Sequence, residues 1–202
     1  MGREHARDAA VNQRNVGRIA ERIVANELEY RGFRVSDLNK EGISANADLL
    51  AAKDGKTWQV QVKGATADDG FWFGYGYCNE EVIARREPFF NKKDNGFYKA
   101  EVVALVCVKS PKEYSCLVLP VTIAEQAAQL NLTRYFRTPK KNGEPHKPGK
   151  VWVAIDYIPK GADAEVQERY EQEFKLLRPY RDNWDAAFEN FMLRRQTHPG
   201  NA

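Results

Sequence analysis

The sequence predicts an α/β domain with a helical extension at its C-terminal end. Three observations predict it. Apolar residues near the N-terminus recur at helical spacing, two pairs of β-rich runs are each joined by a tight connection, and amphipathic helical patterns close the chain. With 202 residues, 43% of them hydrophobic and 29% charged, the chain can bury a core and is too apolar for disorder. We expect one domain over residues 1–160, with 161–202 as a helical extension packed on it.

The elements follow in order. Val16, Ile19, Ala20, Ile23, Val24 and Leu28 form a helical stripe, and Gly32 stands where a C-terminal cap is expected. A short strand over 33–35 comes next. Residues 47–52 and 57–63 flank Lys53-Asp54-Gly55-Lys56, the strongest hairpin signal in the sequence. An aromatic stretch, Phe71-Trp72-Phe73-Gly74-Tyr75-Gly76-Tyr77, then leads to a helix around 80–86. Residues 101–109 and 113–120 read as a second strand pair, 122–130 as a short helix and 151–155 as a further strand. Between the last two, residues 134–150 are basic and rich in Pro and Gly, which predicts a loop. Val166, Tyr170, Phe174 and Leu177 mark one closing helix, and Trp184, Ala187, Phe188, Phe191 and Met192 another.

Composition narrows the chemistry. The longest apolar run, 102–108, is far short of the roughly 20 residues a membrane-spanning helix needs. Charges of both signs over residues 1–8 argue against a secretory leader, so a cytosolic location is expected. Cys78, Cys107 and Cys116 form no Cys-x-x-Cys pair and read as reduced thiols. His5, His146 and His198 are placed poorly for a catalytic triad or a zinc site. Chemistry is left to carboxylates, amides and lysines. The net charge of +3 permits a polyanionic partner without demanding one.

If Asp54-Gly55 is a type I′ turn, Lys53 faces Lys56 and the register carries down to Asp48 opposite Gln61. Gln59, Gln61 and Lys63 then share one face while Val60 and Val62 point into the core. A carboxylate, an amide oxygen and an ammonium group converge. That trio suits phosphodiester hydrolysis, because a hard cation such as Mg²⁺ or Mn²⁺ takes oxygen ligands, commonly one or two carboxylates with water and substrate phosphate. Asp48 would anchor the ion, Gln61 add a neutral oxygen, and Lys63 position water and offset charge on the phosphate. Glu21, at the edge of the helical stripe, would orient Lys63 or water or bind the metal; Glu27, nearer its middle, is a rival that needs a partner if buried. Read one at a time, these residues also fit a surface ion pair worth under about 1 kcal/mol and a solvated helix acid.

Gly17-x-x-x-Glu21, Gly32-Phe33, Asp48-Leu49-Leu50 and Gln61-Val62-Lys63-Gly64 together resemble the core motif of the PD-(D/E)xK nuclease superfamily, most nearly archaeal Holliday junction resolvases and Mrr-type restriction nucleases. Asn46-Ala47 stands where a proline often precedes the aspartate. Gln61 replaces the usual acid, as in Mrr-like members with Gln-x-Lys, and removes one negative charge from the metal cage. The resemblance implies a restriction-endonuclease-like core of helix, three antiparallel strands, helix and strand. It implies Glu21, Asp48, Gln61 and Lys63 as the catalytic set, with Asp48, Gln61, Val62 and Glu21 around the metal. The implied activity is Mg²⁺- or Mn²⁺-dependent cleavage of duplex or branched DNA, in a defence system, a phage or another mobile element. The alternative is an inactive module that keeps the fold and binds nucleic acid or assembles with partners.

Arg137, Lys140, Lys141, Lys147 and Lys150 are candidate phosphate contacts, although a solvated linker explains them equally. Trp72 is a candidate for stacking on an unpaired base, against a background in which most rings of its segment pack in the core. The terminal helices would cap the core or form a homodimer face, and two-fold symmetry would suit an enzyme cutting both strands.

Overall fold

A computed structural model of the chain describes residues 2–39, 47–66, 71–78, 97, 100–110, 113–138, 140, 142–146, 149–157 and 164–188. Helix α1 (Gly2–Tyr30) presents Ala20, Val24 and Leu28 as a buried stripe. It ends on Gly32 at φ 82°, with Gly32 N–H donating to Glu29 O at 2.9 Å and Phe33 N–H to Leu28 O at 3.0 Å. This is the Schellman arrangement, which satisfies otherwise orphaned carbonyls and favours glycine at the left-handed position. Phe33, expected in the first strand, belongs to this cap, and strand β1 spans Arg34–Asp37.

The hairpin follows the expected turn. Asp54 and Gly55 have φ of 52° and 73°, as a type I′ turn requires. Strands β2 (Leu49–Lys53) and β3 (Lys56–Ala65) pair from Lys53 opposite Lys56 to Leu49 opposite Val60. β1 pairs antiparallel with β2. Strand β4 is Phe71–Cys78; strands β5 (Val102–Ser110) and β6 (Glu113–Pro120) form the second expected pair, and β5 runs parallel to β3. The result is a mixed five-stranded sheet in the order β1-β2-β3-β5-β6.

Two readings are corrected. The aromatic stretch is a strand: β4 pairs with β7 (Gly149–Ile155) as a separate two-stranded sheet. Helix α2 (Val121–Arg137) runs well past residue 130, so 134–137 are its last turn and not part of the basic loop. Helix α3 (Ala164–Leu177), a 3₁₀ turn (Arg178–Tyr180) and a helical stretch over 184–188 close the described chain. The helix expected around 80–86 lies outside the described residues, as do Phe191 and Met192.

Strand alternation divides the core between the two faces of the main sheet. Trp58, Val60, Val62, Val102, Ala104 and Val118 pack under α1. Val103, Leu105, Leu117 and Leu119 face α2 and the β4–β7 sheet. Gly64 approaches α1 closely: a Cβ there would stand 2.7 Å from Ala20 Cβ and 2.9 Å from Val16 O. No helix among the described residues is long and apolar enough to cross a membrane. Cys107 and Cys116 are buried and form no disulfide, and burial, with Asp182 nearby, pushes the Cys116 thiol up to about 12.

Candidate active site

The β2–β3 ladder stops at Leu49 opposite Val60, and Asp48 leaves it in a particular way. Its backbone N–H donates to Val60 O at 3.0 Å. Its side chain then crosses to β3, where Oδ2 accepts the Val62 N–H at 2.7 Å. The carboxylate thus stands in for the strand carbonyl that β2 no longer supplies. Oδ1 accepts a longer bond from Asn39 Nδ2, at 3.3 Å. A half-buried carboxylate fixed by an N–H donor on one oxygen is held in one orientation while keeping lone pairs on both oxygens for another ligand.

Val60 and Val62 lie under α1 as expected, which puts Gln61 and Lys63 on the opposite face of β3. Gln61 is a buried polar side chain, 7% exposed, and Lys63 beyond it is half-buried. Odd-numbered residues of β3 turn their backbone groups to β5, so Val62 directs its N–H and its carbonyl to the side where β2 has ended. Asp48 thus meets the Val62 backbone at one sheet edge, and Gln61 and Lys63 flank Val62 along β3.

Glu21 is placed differently. It sits on α1, on the far side of the sheet from Gln61 and Lys63, and lines a cavity of about 180 Å³ with Arg18, Arg22, Val35, Asp37 and Leu49. Leu49 adjoins Asp48 in sequence, so this cavity opens at the β1–β2 end of the same edge. Glu27 has the partners its position demanded: it pairs with Arg31 and accepts the Tyr114 hydroxyl at 2.7 Å. That hydrogen bond pushes the Tyr114 phenol up to about 12. Glu27 is thereby tied to β6.

The oxygen donors suit a hard cation. Asp48 offers a positioned carboxylate, Gln61 an amide oxygen and Val62 a backbone carbonyl; no thiol or imidazole is among them. Among the described residues, no three His, Cys, Asp or Glu side chains form a metal-holding group. The remaining positions of Mg²⁺ would fall to water and phosphate, as is usual for that ion.

Of the basic candidates, Lys140 lies close to Glu144, at 3.9 Å. Arg137 closes α2 and Lys150 is the second residue of β7, while Lys141 and Lys147 lie outside the described residues. Arg134 is held by the fully buried Glu173. Phe71, Phe73 and Tyr75 are core residues, but Trp72 points outward, edge-on to Tyr157 at 5.2 Å. Sequence reasoning missed Asn39, which no spacing signals, and the Arg134–Glu173 pair, whose members are far apart in the chain.

Compared with profiles of known protein families, with characterised proteins and with solved structures, the chain matches none significantly.

Proposed function

We propose that the protein is a metal-dependent DNA endonuclease of the PD-(D/E)xK type. The observation that carries this reading is the Asp48 carboxylate, locked across the end of β2 onto Val62 between Gln61 and Lys63. Part of the element order supports it as well: a helix, three antiparallel strands, and a later strand, β5, parallel to the third, with β4 of the second sheet standing between them in the chain. The helix implied between β3 and β5 falls outside the described residues.

In this reading Asp48 holds the ion, Gln61 adds a neutral oxygen that leaves the cation more of its charge, and the Val62 carbonyl completes the protein's share. Bound Mg²⁺ or Mn²⁺ supplies Lewis-acid polarisation of the phosphate and a lower pKa for water. Lys63 orients the attacking water and offsets negative charge as the phosphodiester reacts. Glu21, on the α1 side of the sheet, would act only through water at the β1–β2 end, and the expected contact with Lys63 is not part of this reading.

The test is a cleavage panel with Mg²⁺ or Mn²⁺ over plasmid, linear, single-stranded and four-way-junction DNA. Wild type is expected to cut at least one substrate, and Asp48→Asn and Lys63→Met to cut none. Equal cutting by all three would reveal a contaminant and remove the reading.

One observation favours a second reading, an inactive module that binds nucleic acid or assembles with partners: Gln61 stands where a second carboxylate would strengthen the cage. Calorimetry with Mn²⁺ separates the two. Absence of Asp48-dependent heat, together with salt-sensitive DNA affinity, selects the second.

A further inference from the structure

The outer face of the β4–β7 sheet carries side chains that folding alone would not place there. Alternation puts Val151, Val153 and Ile155 of β7 in the core and leaves Trp152 58% exposed. Gly74 stands opposite Trp152, so the position directly across the ladder holds no side chain. Trp72, opposite Ala154, occupies the same face two pairs along, and is 36% exposed. Two outward tryptophans on a two-stranded sheet leave apolar area in water that packing has not claimed.

Helices α2 and α3 turn this face into a pocket of about 430 Å³, within the range of small-molecule sites, roughly 300–1,000 Å³. Its walls include Trp72, Trp152, Tyr157, Tyr135, Tyr170 and His146. His146 lies against Tyr135 with ring centroids 3.7 Å apart. Burial, with Lys140 nearby, lowers the His146 pKa, and its ring joins the flat walls.

Polar groups at the pocket indicate what the rings would hold. The Arg134 guanidinium lies 3.9 Å over the Tyr170 ring and donates an N–H of Nη2 to Glu173 Oε2. Its Nε is buried and has no hydrogen-bond partner among the described residues. An orphaned buried donor calls for an acceptor. Asn131, also lining the pocket, donates through Nδ2 to the Ala154 carbonyl and so retains its own oxygen as an acceptor. A cationic ligand does not fit: Arg134 already contributes a positive charge, and both Glu173 oxygens are engaged, by Arg134 and by the Asp156 N–H. The complementary ligand is flat, aromatic and bears both carbonyl acceptors and N–H donors at its rim.

We propose that this pocket binds an unpaired nucleobase, stacked against Trp152 and Trp72 with its polar edge toward Arg134 and Asn131. The proposal deepens the nucleic-acid reading and rests on it for the source of the base, a single strand or a base turned out of a duplex. It requires no cleavage at the sheet edge.

The experiment measures fluorescence anisotropy of a short labelled oligothymidylate in metal-free buffer, with the equivalent duplex and free thymidine monophosphate as competitors. Trp152→Ala removes an exposed side chain and leaves the fold in place, which circular dichroism checks. Wild type is expected to bind, and Trp152→Ala at least about tenfold more weakly, in line with the energy of base–aromatic stacking. Competition by the mononucleotide at matched base concentration would identify a free nucleotide as the ligand; competition by the oligonucleotide alone would identify a strand. Unchanged affinity in Trp152→Ala, or no binding by wild type, overturns the proposal. Cleavage in the panel above would then leave the nuclease reading standing, and a Trp152-dependent complex with no cleavage would do the reverse.

Discussion

At Asp48 one carboxylate serves folding and the proposed chemistry together, and substitutions separate the two. Asp48→Asn keeps an oxygen for the Val62 N–H, whereas Asp48→Ala leaves that donor without its partner, a loss of about 1–2 kcal/mol. Urea unfolding is expected to show the alanine variant less stable than the asparagine one, with both lacking cleavage. Equal stabilities would mean that the Asp48–Val62 bond does not matter to the fold. Glu173 gives a second prediction. Burial raises its carboxyl to about 7 against the pull of Arg134. Between the unfolded carboxyl range and that value the folded state holds more protons, so its stability falls as pH rises from about 4.5 through 7. Glu173→Gln is expected to flatten this slope, with a difference between the two proteins of up to about 3 kcal/mol across the window; parallel pH profiles would exclude it. The hairpin as far as Leu49 was legible because its register is set locally, whereas Asp48, expected opposite Gln61, leaves the ladder and turns its carboxylate to the Val62 N–H. Glu173 was not legible, because its partner comes from another helix and a glutamate in an amphipathic pattern looks solvated.

The elements show the same division between local and distant causes. Asp54-Gly55 announces its turn within the turn itself, and Gly32 announces the end of α1, because each adopts a backbone conformation that few residue types tolerate. The pairing of β4 with β7 had no such signal: neither strand is joined to the other by a short turn, and Phe71, Phe73 and Tyr75 match equally well any buried surface. Helix α2 outran its expected end because the charged turn Arg134–Arg137 adjoins a Pro- and Gly-rich segment, and composition blurred the boundary. Gly64 lies in the proposed motif beside Lys63, yet its contacts give it a packing reason of its own. Neither Ala20 Cβ nor the α1 backbone at Val16 can swing away from an added methyl. Gly64→Ala is therefore expected to push α1 off β3 and destabilise the protein by about 1–3 kcal/mol. Gly17→Ala, where no atom lies within 4 Å of the added carbon, is expected to be neutral or mildly stabilising, since alanine favours helix. Thermal unfolding of the pair checks this, and a harmless Gly64→Ala would show that the close approach is not required.

Across the whole molecule, the C-terminal segment joins the cores on the two faces of the main sheet. Leu177 and Tyr180 pack with α2 and the β4–β7 sheet, whereas Trp184, Ala187 and Phe188 pack under α1. Between them the chain passes the free edge of β6: Cys116 N–H donates to Asp182 Oδ1 at 2.8 Å and Asp182 N–H to Cys116 O at 2.9 Å. Leu117 forms a bridge with Arg181. Covering an edge strand removes a template for pairing with other chains. On the α1 side Phe188 meets Phe33 at 4.8 Å and Trp58 at 5.4 Å between ring centroids, so the described part of the terminal region caps the molecule's own core. Phe188→Ala is expected to lose about 3–5 kcal/mol. Asp182→Ala, which breaks the clasp on β6 and places alanine at φ 51°, is expected to lose less. Clasp and ring hold the same short segment, so releasing either weakens what the other contributes, and the double variant should fall short of the summed losses by at least about 0.5 kcal/mol. Denaturant unfolding of the four proteins in the cycle measures that shortfall. Strict additivity would mean that the clasp on β6 and the packing under α1 act independently, and that the segment does not couple the two faces.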